Sequence, residues 1–217
     1  LDDSRTSEAN IWGAAAANQP IGETEGEPSS AWNDDSMYTK MMGDMAGRYG
    51  SSQEDIEQLM NKVSFHESKG QSNAYQTGGG PGAGLFQFER GENAGGQTAQ
   101  NRLQRYFGEN NMEVPEWAQS NQNETNADNN LNGFDASKLT DKQQQMLFMA
   151  NTRYDKTSNF RPESIGNSSE WWLDNHWKGA DADRSTRKAS FDGDMNIWNS
   201  VNNPSPVNVN KTWDSNY

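Results

Sequence analysis

Apolar positions along this chain fall into short, separated groups at helical spacing. Met37, Met41, Met42 and Met45 predict a helix whose methionine stripe faces a core or a partner. Ser51-x-x-Glu54 has the form of a capping box, and the helix it opens carries Ile56, Met60, Val63 and Glu67 on one face. Further helices are predicted over 98–107, over 141–155 behind the Thr140-x-x-Gln143 box, over 168–178 ahead of Gly179, and over 181–199. Between residues 74 and 90 the pattern changes. Gly78 to Gly84 reads as a flexible turn and Leu85-Phe86-Gln87-Phe88 as a short extended run, so a small β-hairpin is expected there. The Asn- and Gln-rich stretch 119–133 reads as a loop. The fold class expected is mainly α (α+β).

Composition narrows this picture. Leu, Ile, Val and Phe make up only 26 of 217 residues, whereas eight Trp, six Tyr and nine Met supply large apolar bodies, so the core is expected to be small, aromatic and Met-rich. A net charge of −13 with no cluster of Lys and Arg argues against binding to a nucleic-acid backbone. No apolar run approaches the roughly 20 residues a membrane-spanning segment needs. Without Cys there are no disulfides and no thiolate metal sites. Residues 1–36 carry eight carboxylates against one Arg, and the division expected is an acidic extended arm over 1–44, a folded domain over 45–199 and a tail over 200–217 with Pro204 and Pro206. The arm reads as solvated, or as ordered on a partner protein. The initial Leu1 reads as a processed or trimmed start.

Glu67 stands out, because it places a carboxylate on the apolar stripe at the C-terminal end of a helix. Loss of water and the wrong end of the helix dipole both disfavour its ionised form. A carboxylic acid that keeps its proton is what a general acid for glycoside cleavage requires. The plainer reading is an ion pair with Lys or Arg at a helix end. Other chemistries fit less well. His66-Glu67 opens like a zinc-protease helix, but residue 70 is Gly and His176 is the only other His. Gly78–Gly84 lacks the Gly-Lys-Ser/Thr ending of a phosphate loop. Asp192-x-Asp194-x-Asn196 begins like a calcium loop but has Ile197 where Gly belongs, and reads as a solvated helix face.

His66-Glu67-Ser68 at a helix end, followed about fifteen residues later by Gly84-Leu85-Phe86-Gln87, resembles the signature of goose-type lysozymes and soluble lytic transglycosylases. The resemblance implies a lysozyme-like domain with its β-hairpin beside a cleft, cleaving the β-1,4 bond between N-acetylmuramic acid and N-acetylglucosamine in peptidoglycan without metal or cofactor. It implies Glu67 as the acid and Ser68 as a hydrogen-bonding support. Gly84 would let the backbone approach a sugar, Leu85 and Phe86 would anchor the hairpin, and the Gln87 amide would meet hydroxyls or the N-acetyl group. Glu89 resembles the second acidic residue of goose-type lysozymes and, on a strand, would share a face with Gln87; it reads as a base, as a stabilising charge, or as a solvated neighbour of Arg90. Tyr75 is a candidate sugar contact. The segment Thr140–Asp155 resembles the inner helix that carries the family's Ala-Tyr-Asn-x-Gly block, with Ala150-Asn151 in place but no Tyr between them, leaving Tyr154 as the candidate for that role. Trp171-Trp172-x-x-x-His176-Trp177, with Arg184, Arg187 and Phe191, is similar to carboxyl-terminal helices of lysozyme-like domains in phage virion proteins. These residues are expected to pack a core, one Trp being a candidate for stacking on sugar. The placement implied is a phage virion component whose arms bind other tail or capsid proteins, with a secreted bacterial enzyme as the alternative. A virion scaffold that keeps an inactive lysozyme-like domain is the rival from another class.

Overall fold

The methionine stripe forms the first helix, α1 (Asp34–Tyr49), and all four of its methionines are buried. Asn33 and Ser36 cap its start reciprocally, and Gly50 ends it in a left-handed conformation at φ 63°. Ser51 then donates its backbone N–H back to Ala46 O at 3.1 Å. Ser51 is therefore spent on closing α1, and the capping box of α2 (Gln53–Ser68) lies one residue later than expected, as Ser52 with Asp55. The predicted stripe on α2 is present, with Ile56, Met60 and Val63 each no more than 1% exposed.

The computed structural model describes residues 32–91, 94–119, 134–155, 167–177 and 180–202, all within a single unit. The expected arm before residue 32, residues 120–133 of the expected loop and the tail from residue 203 lie outside the described residues. The folded part begins earlier than residue 45, because α1 is a full member of the core, and it runs past 199 to the end of the last helix.

Among the described residues the remaining elements are β1 (Gly82–Ala83), β2 (Phe88–Glu89), α3 (Gly95–Glu109), α4 (Asp141–Tyr154), α5 (Ser168–Asn175) and α6 (Arg184–Asn202). The architecture is mainly helical with a small antiparallel sheet, in which Gly82 pairs with Glu89 and Ala83 with Phe88. Residues 74–76 run antiparallel along the other side of β1, through the Tyr75–Ala83 bridge and the bond from Gln76 N to Gly82 O at 2.9 Å. No helix is long and apolar enough to cross a membrane.

Helix α4 opens with the predicted Thr140/Gln143 box and buries Met146 through Ala150 without interruption, so it is enclosed on most sides. It packs on α1 and α3, while α2 packs on α1, α5 and α6. Of the expected extended run 85–88 only Phe88 lies in a strand, and residues 85–87 form a turn: Gly84 sits at φ 79°, Gln87 at φ 47°, and Gln87 N donates to Gly84 O at 3.2 Å. The calcium-like triplet lies on α6, but Asp194 is not a solvated position. Its carboxylate is drawn inward between His66 Nδ1 at 2.8 Å and Lys69 Nζ at 2.6 Å, which fastens α6 to the end of α2.

Candidate functional site

Helical phase brings Glu67 out of the core at the last turn of α2, with its side chain 17% exposed beside an open cleft of about 450 Å³. The acid is held from a helix more than a hundred residues away. Trp172 of α5 donates its indole N–H to Glu67 Oε1 at 2.5 Å. One turn on, His176 Nε2 stands 2.9 Å from Phe86 O and 3.7 Å from the same Glu67 oxygen. A carbonyl only accepts, so Nε2 carries the hydrogen and donates it to Phe86. Glu67 Oε2 has neither a hydrogen bond nor an ion pair among the described residues. The plainer reading of Glu67, a pair with Lys or Arg at the helix end, does not describe this geometry; Lys69 pairs with Asp194 instead.

The opposite wall is the hairpin, which contributes Gln76, Gln87 and Glu89 to the cleft. Its position is set by Gln144, a fully buried side chain of α4. Gln144 Oε1 accepts from Leu85 N at 2.6 Å, and its Nε2 donates to Ser72 O and to Leu139 O, each at 2.9 Å. Ser68 adds a second tie, with its hydroxyl 3.0 Å from both Ser64 O and Leu85 O. The end of α2 and the turn of the hairpin are thus joined directly. The cleft is also lined by Arg102 of α3 with Asn151 and Asp155, and by Trp177, which stacks on Trp172 at 6.2 Å between ring centroids.

Of the residues singled out in the sequence, Glu67, Gln87 and Glu89 are brought to this one cleft. The reason given for the last two needs correction, since Gln87 lies in the turn and not on the strand with Glu89. The Gln87 amide N–H also donates to Gly84 O at 2.9 Å, so this group braces its own turn. Glu89 is exposed and is not paired with Arg90, which is buried, donates to Gly80 O and Pro81 O and covers the Tyr75 ring.

Five of the residues expected at the substrate site, Ser68, Tyr75, Gly84, Leu85 and Tyr154, do not line this cleft. Ser68 and Leu85 are buried behind the cleft as supports. Gly84 is buried too, and the group that approaches it is Gln144, whose Oε1 would lie 2.3 Å from an added Cβ; the glycine makes room for the protein's own amide and not for a sugar. Tyr154 turns away from the cleft and donates to Glu109 at 2.6 Å, while Asn151 and Asp155 of the same segment line it. Tyr75 is half exposed but does not line the cleft; its ring lies under Arg90 and its hydroxyl donates to Asp135 at 3.2 Å. Trp171 and Trp172 pack the core as expected, but the donor role of Trp172 and the polar roles of His176, Gln144 and Arg102 were not foreseen. The i, i+4 pair Trp172/His176 was the one local signal that could have linked α5 to the acid.

No protein-family model, no curated protein and no solved structure matches the chain. The chemistry of the cleft therefore rests on its own residues: one carboxyl group anchored through one oxygen, a second carboxylate exposed across from it, amides, an indole face and a guanidinium.

Proposed function

We propose that the protein cleaves the β-1,4 bond between N-acetylmuramic acid and N-acetylglucosamine in peptidoglycan, with Glu67 as general acid. The observation that carries this reading is the one-sided anchoring of Glu67. The Trp172 N–H holds Oε1 at 2.5 Å, and Oε2 has no partner among the described residues and stands beside the cleft. A carboxyl group fixed in this way presents its second oxygen to a glycosidic oxygen without having to break a contact first. Gln76 and Gln87 supply amides toward sugar hydroxyls, Trp177 an aromatic face, and Glu89 a charge on the hairpin side for an oxocarbenium-like state or for positioning water. The resemblance of His66-Glu67-Ser68 and Gly84-Leu85-Phe86-Gln87 to goose-type lysozymes and soluble lytic transglycosylases supports the same chemistry. The acidic arm and the likeness of the segment 171–191 to phage virion domains support a place in a virion, where the enzyme would open the wall locally during genome entry.

The decisive experiment incubates purified protein with peptidoglycan and measures released fragments by mass. The parent is expected to release muropeptides, with anhydro ends marking a lytic transglycosylase and reducing ends a hydrolase. Glu67→Gln, which keeps the shape of the side chain, is expected to lower the rate by about 10²–10⁴-fold. A parent that releases no fragments sinks the enzymatic reading and leaves the virion scaffold. A Glu67→Gln variant as fast as the parent removes Glu67 from the chemistry.

A further inference from the structure

The cleft is lined in part by a guanidinium that is tied down along one side only. Arg102 donates through Nη1 to Asn151 O at 3.1 Å, to Asn151 Oδ1 at 2.6 Å and to Asp155 Oδ2 at 3.3 Å. All of its polar contacts run through that one nitrogen, and neither Nε nor Nη2 has a partner among the described residues. Its side chain is 24% exposed and lines the cleft. Glu67 and Glu89 line the same cleft, yet neither lies within ion-pairing distance of it.

The edge left unused is the one formed by Nε and Nη2, whose two parallel N–H groups match the two oxygens of a carboxylate. A sugar hydroxyl or an N-acetyl carbonyl offers a single oxygen and would leave half of this edge unmet. Asp155 and Asn151 hold the guanidinium plane still, so little side-chain freedom remains to be lost on binding. Asp155 also offsets much of its charge, which favours a planar two-oxygen ligand over a small diffuse anion.

We infer that Arg102 is the specificity-determining residue of the cleft and that it recognises a carboxylate carried by the glycan substrate. This rests on the peptidoglycan reading above and deepens it. In peptidoglycan such a carboxylate has two sources, the stem peptide or the lactyl group of a muramic acid stripped of its peptide. Chitin oligosaccharides have neither.

The test measures dissociation constants in the Glu67→Gln background, where ligand is not consumed. Three ligands are compared: a muramic acid-containing tetrasaccharide with its stem peptides, the same tetrasaccharide after amidase treatment, and chitotetraose. Adding Arg102→Gln is expected to weaken binding of one or both carboxylate-bearing ligands by about tenfold or more and to leave chitotetraose unchanged. The ligand that loses affinity identifies the source. Arg102→Lys keeps the charge but not the fork, and most of the loss is expected to remain. Equal loss on all three ligands, no loss on any, or full recovery with Lys overturns the inference. Selective loss in a protein whose parent releases no fragments keeps the inference and discards the cleavage reading. Cleavage by the parent without an Arg102 effect does the reverse.

Discussion

The two walls of the cleft are fixed by different means. On the Glu67 wall, aromatic and charged side chains from α5 and α6 converge on the end of α2: Trp172 holds the acid, and the His66 ring lies 4.6 Å from Trp172 and 4.7 Å from Phe191 between centroids. On the hairpin wall, the ties run from polar side chains to main-chain atoms: Gln144 reaches Leu85, Ser72 and Leu139, Ser68 reaches Leu85, and His176 of the other wall reaches Phe86. The first arrangement orients one functional group. The second sets the place of a whole segment, which also buries Leu85, Phe86 and Phe88 in the core. Damage to the hairpin wall should therefore appear first as lost stability and, under the proposed function, damage to the Glu67 wall first as lost rate.

The largest effect is expected at Gln144. Gln144→Leu keeps the approximate shape of the side chain but strands the buried Leu85 N–H and leaves Ser72 O and Leu139 O without their donor. At about 1–3 kcal/mol for each buried group left unsatisfied, a loss of about 3–5 kcal/mol is expected in denaturant unfolding. A loss below about 1 kcal/mol would mean that the hairpin is held by its apolar contacts, and the distinction between the walls would fail.

Trp172→Phe probes the other wall. The ring still fills the space between His66, Trp177 and Phe191, but Glu67 Oε1 loses its donor. Under the proposed function the rate of fragment release is expected to fall about ten- to a hundredfold, with only a modest shift in melting temperature. A variant that melts far earlier yet cleaves at the parental rate per folded molecule would show that the indole N–H is structural.

This contrast also explains what was legible in the sequence. The phase of Ile56, Met60, Val63 and Glu67 is a local signal, and so are the Thr140/Gln143 box and the methionine stripe of α1; each was read in the right place because its period or cap is written within one helix. Glu67 is singled out by that same phase, whereas Gln87 is singled out by the resemblance of Gly84-Leu85-Phe86-Gln87 to a family motif. The Trp172 donor lies 105 residues from its acceptor, and Gln144 lies 59 residues from Leu85, so no spacing rule connects them. Gly84 shows the limit most clearly. The need for a glycine was correctly read, but whether sugar or protein comes close to it depends on where α4 lies. The differences at Ser51 and at residues 85–87 have a related cause. In both places a neighbouring turn had already used the backbone groups that a cap or a strand would need.

The smallest effect is expected away from both walls, where the buried Tyr106 of α3 donates its hydroxyl to Asp44 of α1 at 2.7 Å. Burial works against the Asp44 carboxylate, but the hydroxyl of Tyr106 and the ammonium of Lys40 outweigh it and hold the Asp44 carboxyl below its ordinary value. For Tyr106 itself, burial first and the Asp44 bond and charge second push the hydroxyl well above its ordinary value. Tyr106→Phe keeps the ring and removes both effects, at a cost of about 1–2 kcal/mol near neutral pH. The signs then set the pH dependence. A carboxyl lowered by folding contributes its stability in full above about pH 4 and loses it as pH falls through the lower native value, so the parent's advantage should narrow in acid. A tyrosine raised by folding ionises first in the unfolded chain, so the advantage should narrow again as pH rises above about 10. Unfolding free energies of parent and variant, plotted against pH, should therefore differ most across the middle of the range. Parallel curves at every pH would mean that the hydroxyl and carboxylate contribute only as neighbours in packing.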